Sequence, residues 1–249
     1  MRKAFEILKL ISSSSDGMGI SDIARGLDLA KSTVHGMTSA LEELGAVRRD
    51  PLTKRYTLGF TLFELGKRAY SKIDLKELAR PVLEDLMDRT GTSVFLGVLN
   101  WDHVTILDVV ESRNDLKITS PIGTTIPLFA AATGKVFLAM MDDQQGMRLI
   151  RSKGLSRYTE NTIADPEAYL KEIGAVRRQG YATDDEEYIP GVRAVAAPLK
   201  GGGQLMSAIW AVGFKASLDD DKMKALAEYT KEAAGIVSQR IESQPGGSR

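Results

Sequence analysis

The stretch Ile20–Arg49, ISDIARGLDLAKSTVHGMTSALEELGAVRR, decides the fold of the first part of this chain of 249 residues. Ser21 is expected to cap a short helix, and residues 26–30 are expected to form a turn to the next helix. Gly45 then suits the left-handed residue that commonly ends a helix. Apolar residues recur at helical spacing on both sides of the turn, at Ile20, Ile23, Ala24 and Leu27 and again at Val34, Met37, Leu41 and Leu44.

The flanking segments complete a recognisable layout. Apolar residues at helical spacing predict a helix over Arg2–Ile11, and two short β-like runs around DPLT (residues 50–53) predict a hairpin. Three helices followed by a basic hairpin indicate a winged helix-turn-helix, whose third helix is narrow enough to enter the DNA major groove. The alternative is a small helical bundle with a solvated face.

The expected DNA-facing residues come from the third helix and the hairpin. The first 60 residues carry nine Lys and Arg against seven Asp and Glu, although the whole chain has no net charge. A local basic patch matters more to a polyanion than the total charge does. The outward side of the third helix and the basic residues of the hairpin give the candidates Lys31, Ser32, Thr33, His35, Gly36, Ser39, Arg48, Arg49, Lys54 and Arg55.

Composition excludes several classes of protein. The chain has no cysteine and only two histidines, His35 and His103, so disulfides and thiolate or histidine metal clusters are not expected, and no cofactor is expected either. The longest apolar run, residues 126–141, is too short and too interrupted to span a bilayer. The N-terminal segment lacks the cleavage site of a secretory signal, so we expect a cytoplasmic protein.

The rest of the chain predicts an α+β fold with a linker. An amphipathic helix over residues 60–72 carries aromatic residues that need a partner, and a dimer contact is the natural one. Strand hairpins separated by helices, one of them expected over Pro166–Gln179 and opening near Asp165, then indicate an antiparallel sheet flanked by helices. A further extended segment is expected over residues 116–128, and a glycine turn over residues 201–204. We predict a winged domain over residues 1–58, a linker helix over 59–73, an effector-binding domain over 74–243 and a flexible tail over 244–249.

Four segments in order resemble the isocitrate lyase regulator (IclR) family of bacterial transcription factors over nearly the whole chain. They are LAKSTVHGMTSALEELGAVRRD with RYTLG after it, IPLFAAATGKVFLA, GYATDDEEYIPGVRAVAAPL, and a terminal helix after AIWAVG. The resemblance implies a winged helix-turn-helix, a dimerising linker helix and a GAF-like domain that binds a small organic acid. It also implies dimers or tetramers on palindromic operators.

One position of the third helix departs from the family. Where the family usually has arginine, this chain has Gly36, which costs helix stability of about 1 kcal/mol against alanine. The glycine also removes an expected phosphate or base contact. Base reading is therefore expected to rely on Lys31, Ser32, Thr33 and His35, with the hairpin cations as backbone anchors.

The resemblance also places an effector pocket. It implies ligand contacts with the backbone of Ala132 and Thr133 at a helix start, where free N–H groups suit a carboxylate. Asp184 falls at a polar pocket position, although the alternative is that DDEE is a solvated loop. Apolar wall positions fall at Ile118, Ile126, Val192 and Ala194, and small hydroxyl residues of the family are replaced here by Trp210 and Val212.

The exchange of serine for tryptophan bears on ligand class. Trp210 removes a carboxylate partner and adds a flat apolar surface with one N–H donor. This favours an aromatic or otherwise partly apolar acid, and the alternative is that Trp210 fills the pocket and leaves room only for a small ligand. Arg193 lies between two pocket residues and by strand alternation should point away, toward an acidic partner.

An enzyme is not expected. The Gly-Lys of residues 134–135 lacks the rest of a phosphate-binding loop, and there is no cysteine nucleophile and no GxSxG motif. The expected mechanism is that the effector changes the spacing of two winged domains and so changes operator affinity, with the regulatory sign left open. A different possibility is a ligand-sensing assembly module whose DNA-binding domain has weakened.

Overall fold

The computed structural model describes residues 1–70, 75–201 and 205–244. It consists of two compact units, Met1–Lys72 and Ile73–Arg249. Among the described residues, no helix combines the length and apolar character that a membrane span requires.

Over residues 1–70, the first unit forms four helices and a two-stranded sheet. The elements are α1 (Arg2–Ser12), α2 (Ile20–Gly26), α3 (Lys31–Glu43), β1 (Val47–Arg49), β2 (Tyr56–Leu58) and α4 (Phe60–Tyr70). Strands β1 and β2 pair in antiparallel register, with Arg48 opposite Thr57. This order of elements confirms the predicted winged helix-turn-helix.

The helices of this unit pack around a small apolar core. Ile7, Ile23 and Val34, one from each of α1, α2 and α3, are completely buried together, and Tyr56 of β2 closes the cluster. Gly45 follows α3 with a φ of +67°, which confirms its predicted role at the helix end.

Two details of the helix predictions are wrong. Leu44 was expected on the apolar stripe but is 70% exposed, because α3 ends at Glu43 and the chain turns away at Gly45. Ser21 lies inside α2, which is preceded by Gly19 in extended conformation and has no side-chain cap.

The hairpin turn is held by a side chain. The Asp50 carboxylate accepts hydrogen bonds from the backbone N–H groups of Leu52 and Thr53, at 2.9 and 2.7 Å. These hydrogen bonds lower the pKa of Asp50 below its ordinary value, and those from Thr53 have the largest effect. Asp and Pro in this arrangement are common in tight turns, which is why DPLT could be recognised in the sequence.

The second unit is a six-stranded antiparallel sheet with helices on both faces. Its elements are α5 (Leu75–Thr90), β3 (Ser93–Asn100), β4 (His103–Val110), β5 (Thr125–Pro127), α6 (Ala131–Ala139), α7 (Asp143–Lys153), α8 (Pro166–Gln179), β6 (Ala182–Asp185), β7 (Val192–Leu199), β8 (Ser207–Phe214) and α9 (Asp220–Glu242). The strand order is β5-β4-β3-β8-β7-β6. The α+β prediction is confirmed.

Each face of this sheet buries a separate core. One face packs against α5 and α9, with Leu83, Leu96 and Val237 among its fully buried residues. The other face packs against α6 and α8, with Phe137 and Ile106 at its centre. Successive residues of the central strands therefore point alternately into one core and into the other.

Several boundaries depart from the predictions. The extended segment expected over residues 116–128 forms a strand only at Thr125–Pro127, and the edge strand β6 was not predicted as a separate element. The linker helix is present as Phe60–Tyr70, and the remaining residues 71–73 of that prediction lie outside the described residues, as do residues 202–204 of the glycine turn and 245–249 of the tail.

Candidate functional site

The outward side of α3 is polar and exposed. Lys31, Ser32, Thr33 and His35 are all exposed, and Ser39 is half-buried, while Val34 and Thr38 point into the core. The Thr38 hydroxyl is satisfied inside the helix by donating to the Val34 carbonyl at 2.9 Å. The structure thus places the predicted DNA-facing residues of α3 on one accessible side.

Gly36 lies in the middle of this accessible side. A Cβ atom built at Gly36 would meet nothing within 4 Å. The glycine is therefore not required by close packing within the first unit, and a longer side chain would project into open space.

Four cations of the hairpin are exposed beside the turn. The guanidinium of Arg49 lies 5.8 Å from the centre of the Tyr56 ring, and Arg55 donates from Nε to the Gly17 carbonyl at 3.1 Å. No salt bridge described for residues 1–70 engages Arg48, Arg49, Lys54 or Arg55. Apart from the attraction between the charges of Arg48 and Asp50, no carboxylate described in residues 1–70 pairs with these cations, which leaves them available to an anionic partner.

A cavity of about 250 Å³ lies on the α6 side of the large sheet. All nine residues predicted for the effector pocket line it, and so do others that the sequence did not single out, chiefly Phe95 and Ile106 of the sheet and hydroxyl residues 119, 120, 124 and 125. The nine are Ile118, Ile126, Ala132, Thr133, Asp184, Val192, Ala194, Trp210 and Val212. The volume is slightly below the range of typical ligand pockets, so the cavity suits a small molecule.

Two stacked rings form the flat wall of this cavity. The Phe95 and Trp210 rings lie 5.6 Å apart at an interplanar angle of 7°. Register explains the contact, because Phe95 of β3 pairs directly with Trp210 of β8. A Cβ on Gly97 would lie 2.7 Å from the indole, so this glycine leaves the space that the ring occupies.

The start of α6 supplies a polar edge to the cavity. Ala131 has a φ of +56°, uncommon for alanine, and the Thr133 hydroxyl donates to the Ala130 carbonyl at 2.9 Å. Within the described residues, no hydrogen bond uses the backbone N–H of Ala132 or Thr133. These N–H groups are the ordinary unpaired donors of a helix start, where negative charge is stabilised.

Asp184 is a buried carboxyl group in an otherwise largely apolar wall. It is 2% exposed, and its Oδ1 accepts from the backbone N–H of Glu187 at 2.6 Å. Burial raises the pKa of Asp184 to about 7, and the Glu187 charge adds to this, whereas the Lys135 charge opposes it. The solvated-loop alternative therefore does not hold for Asp184.

The neighbouring Asp185 faces the opposite side of the sheet. It forms a two-pronged ion pair with Arg193, at 2.7 and 3.0 Å, and Arg193 also reaches Asp220 at 2.8 Å. The hydrogen bond from Arg193 is the main cause that lowers the pKa of Asp185. The prediction that Arg193 points away from the pocket toward an acidic partner is confirmed.

Lys135 does not line the cavity but holds residues beside it in place, a role that sequence reasoning missed. It is 1% exposed, and its Nζ donates to the Thr183 carbonyl at 2.9 Å and to the Glu187 carboxylate at 2.5 Å. This ion pair fixes α6 against the residues around Asp184. The available signal was a lysine inside an apolar helix, which needs a buried acidic partner.

Comparison with known proteins agrees with this architecture. Residues 67–239 match the family model described as the bacterial transcriptional regulator IclR C-terminal domain, and residues 1–51 match the IclR helix-turn-helix domain. The HTH-type transcriptional regulator BhcR of Paracoccus denitrificans is 35% identical over 237 residues, which cover 95% of this chain and 85% of BhcR.

Two solved structures of IclR-type regulators share this fold over nearly the whole chain. The IclR transcriptional regulator from Alicyclobacillus acidocaldarius has a TM-score of 0.80 and 29% identity, covering 96% of this chain and 97% of that one. An IclR homolog from Microbacterium hydrocarbonoxydans, solved in complex with 4-hydroxybenzoate, has a TM-score of 0.80 and 21% identity, covering 97% and 98%.

The winged unit with its exposed basic hairpin and the sheet unit with its cavity are the two parts of a DNA-binding regulator. The chain belongs to the IclR family of bacterial transcription regulators. It is a regulator with a helix-turn-helix DNA-binding domain, and its relatives are transcriptional regulators rather than enzymes.

Proposed function

We propose that this regulator binds a small organic acid in the cavity beside α6 and that the bound acid changes its affinity for operator DNA. The observation that carries the proposal is the cavity itself. It combines unpaired N–H donors at Ala132 and Thr133 with the flat wall of Phe95 and Trp210. A carboxylate suits the first feature and a planar apolar body suits the second.

A single-ring acid fits these walls better than a very small, wholly polar one. The family's hydroxyl residues on the last strand are replaced by Trp210 and Val212, so the β8 side of the cavity offers little to a second polar group. The homolog from Microbacterium hydrocarbonoxydans holds 4-hydroxybenzoate, which supports the idea that this fold can accept an aromatic acid. We therefore place an aromatic or partly apolar carboxylic acid first among the candidates.

The proposed DNA contact uses α3 in the major groove and the hairpin along the phosphate backbone. Lys31 at the start of α3 and the four hairpin cations lack salt-bridge partners within residues 1–70, which supports this arrangement. Contacts with phosphate set affinity and its salt dependence, whereas contacts of His35 and its neighbours with bases would set sequence preference.

The proposed active form is a homodimer on a palindromic operator, with pairing of dimers as the larger state. Helix α4 carries an exposed aromatic pair, Phe60 and Phe63, at 70% and 60% exposure with ring centres 5.1 Å apart, and Leu65 is 58% exposed. Large apolar side chains clustered in this way on one short helix support contact with a second copy.

In this mechanism, the effector shifts the equilibrium between arrangements of the two winged domains within the dimer. A coupling free energy of about 1–3 kcal/mol changes operator affinity about 5- to 150-fold. Release or retention of DNA follows from which arrangement binds the acid more tightly, so the chain can act as a repressor or as an activator.

The test is selection of bound duplexes from a random DNA pool at two salt concentrations, with and without aromatic and aliphatic acids. Recovery of one palindromic sequence, bound less tightly as salt rises and differently with one of the acids, is the expected result. If no sequence is enriched under any of these conditions, the DNA-binding proposal is wrong, and a ligand-sensing assembly module becomes the better description.

A further inference from the structure

A second and larger cleft lies at one end of the large sheet. Its volume is about 420 Å³, and it is formed where β3 begins and β8 ends, beside α9 and the segment that follows β4. Ser93 and Phe214 mark the two strand ends in its wall. Nothing in the proposed function uses this cleft.

The charged side chains that line the cleft are all cationic. Arg89, Lys117 and Lys222 line it, and no acidic side chain of the described residues does. Each of the three has at least one carboxylate partner beyond the lining: Arg89 with Glu232 at 2.9 Å and with Asp85 at 3.4 Å, Lys117 with Glu111 at 2.9 Å and Lys222 with Asp219 at 3.8 Å. Such exposed pairs contribute little, so the cations can exchange these partners for a passing anion.

The cleft and the effector cavity share part of their walls. Ile118 and Val212 line both. Val212 is fixed on a central strand between β3 and β7, whereas Ile118 belongs to residues 111–124, which form no helix or strand. A change of side-chain conformation at Ile118 would therefore open the partition between the two spaces with little change in the sheet.

We propose that the cationic cleft is the entrance through which an acidic effector reaches its cavity, and that Ile118 is the gate. The inference rests on the proposed effector function. It adds the route by which the effector enters, the preference of that route for anions, and the residue that limits the rate of entry. Arg89, Lys117 and Lys222 raise the local concentration of a carboxylate, and neutral analogues gain nothing from them. A competing route passes Ile189, which lines the effector cavity and is 44% exposed.

Tryptophan fluorescence gives a direct readout of arrival in the cavity. The chain has two tryptophans, and Trp101→Phe removes the one that is 90% exposed on the β3–β4 turn. In this background, rapid mixing with benzoate is followed by Trp210 emission, with benzamide as the neutral probe of nearly the same shape.

The charge test uses the double variant Lys117→Gln with Lys222→Gln. We expect benzoate association to slow about threefold or more and to lose most of its salt dependence, with dissociation little changed and benzamide unaffected. The matched control is Arg151→Gln with Lys171→Gln, two exposed positions of the same unit that do not line the cleft. If both double variants slow benzoate association equally, or if neither slows it, the proposed selection of anions by the cleft is overturned.

The gate test compares Ile118→Phe with Ile189→Phe. We expect Ile118→Phe to slow association and dissociation of both probes, because a larger side chain blocks the same partition in both directions. Slowing by Ile189→Phe alone would move the entrance to the other route and overturn the proposal.

Amide chemical shifts of the full chain, read together with Trp210 emission, distinguish two outcomes. Either the proposed entry through the cleft is wrong, or the proposed effector binding in the cavity is wrong. Benzoate-dependent shifts at Ser93 and Asn114, with no response of Trp210, would support the cleft as an anion site and count against the effector cavity. Response of Trp210 with no shift in the cleft and no effect of the charge variants supports the cavity and overturns the route. No response at either place overturns both for this class of acid.

Discussion

Asp184→Asn should stabilise the protein at alkaline pH, because it removes a carboxylate that the fold holds away from water. The amide has nearly the same shape, and its oxygen can still accept the hydrogen bond from Glu187, which is 2.6 Å long in the structure. The substitution therefore removes the charge and little else.

The size of the effect follows from the pKa. Burial raises the pKa of Asp184 from 3.8 to about 7, a difference of about three pH units, and each unit corresponds to about 1.4 kcal/mol. The folded protein keeps the proton on Asp184 between about pH 4 and 7, while the unfolded chain loses it. The stability from this group is thus full below about pH 4 and is lost as pH rises through 7, by roughly 4 kcal/mol at most.

The assay is urea unfolding between pH 4.5 and 8, followed by Trp210 emission in the Trp101→Phe background so that the large sheet is observed. We expect Asp184→Asn to differ little from its parent at pH 4.5 and to be clearly more stable at pH 8. Asp185→Asn is the control of opposite sign: the hydrogen bond from Arg193 lowers the pKa of Asp185 below 3.8, so its stabilising contribution is present throughout this pH range and would be lost only at lower pH. Asp185→Asn should therefore be less stable than its parent by a nearly constant amount between pH 4.5 and 8. A difference between Asp184→Asn and its parent that stays constant across this pH range would refute the reasoning.

Three further predictions concern the winged unit and the cavity wall. Gly36→Arg, compared with Gly36→Ala to match the gain in helix propensity, should tighten operator binding. It should also increase the magnitude of the slope of log affinity against log salt by about 0.9 per protomer, or about 1.8 for the proposed dimer. Equal slopes for the two variants would show that this position does not face DNA. Phe63→Asp should shift the chain toward monomers in sedimentation velocity, because it places a charge in the proposed α4 contact, whereas unchanged dimerisation would exclude that contact. Gly97→Ala should destabilise the second unit by about 1–3 kcal/mol and shift Trp210 emission, since its Cβ would lie 2.7 Å from the indole. An unperturbed emission spectrum would mean that the ring is not held there.

Local patterns were sufficient for much of the fold. The helix Pro166–Gln179 was predicted with the bounds observed, because Asp165 caps its first turn and Gly180 ends it in left-handed conformation. The hairpin at DPLT was equally visible, since Asp50 makes its turn through neighbours in sequence. In each case the stabilising groups lie within a few residues of one another.

Family resemblance supplied what local patterns could not give about the cavity. Its nine predicted positions come from segments of the chain that lie far apart in sequence, and the structure brings all of them around one cavity. Periodicity alone would have separated Asp184 from Asp185 but would not have shown which of the two is buried.

The sequence by itself determined the winged helix-turn-helix, the succession of helices and hairpins, and the family, because each depends on residue spacing within short segments. Only the tertiary structure decided that β6 pairs at the sheet edge, that Lys135 meets Glu187 across 52 residues, and that Trp210 stacks on Phe95 over Gly97. It alone also decided that Ile118 and Val212 line both the effector cavity and the cationic cleft. These contacts depend on strand register and on the packing of segments that are distant in sequence. The same packing decides whether a carboxyl group such as Asp184 is buried and how much space remains beside the ring of Trp210.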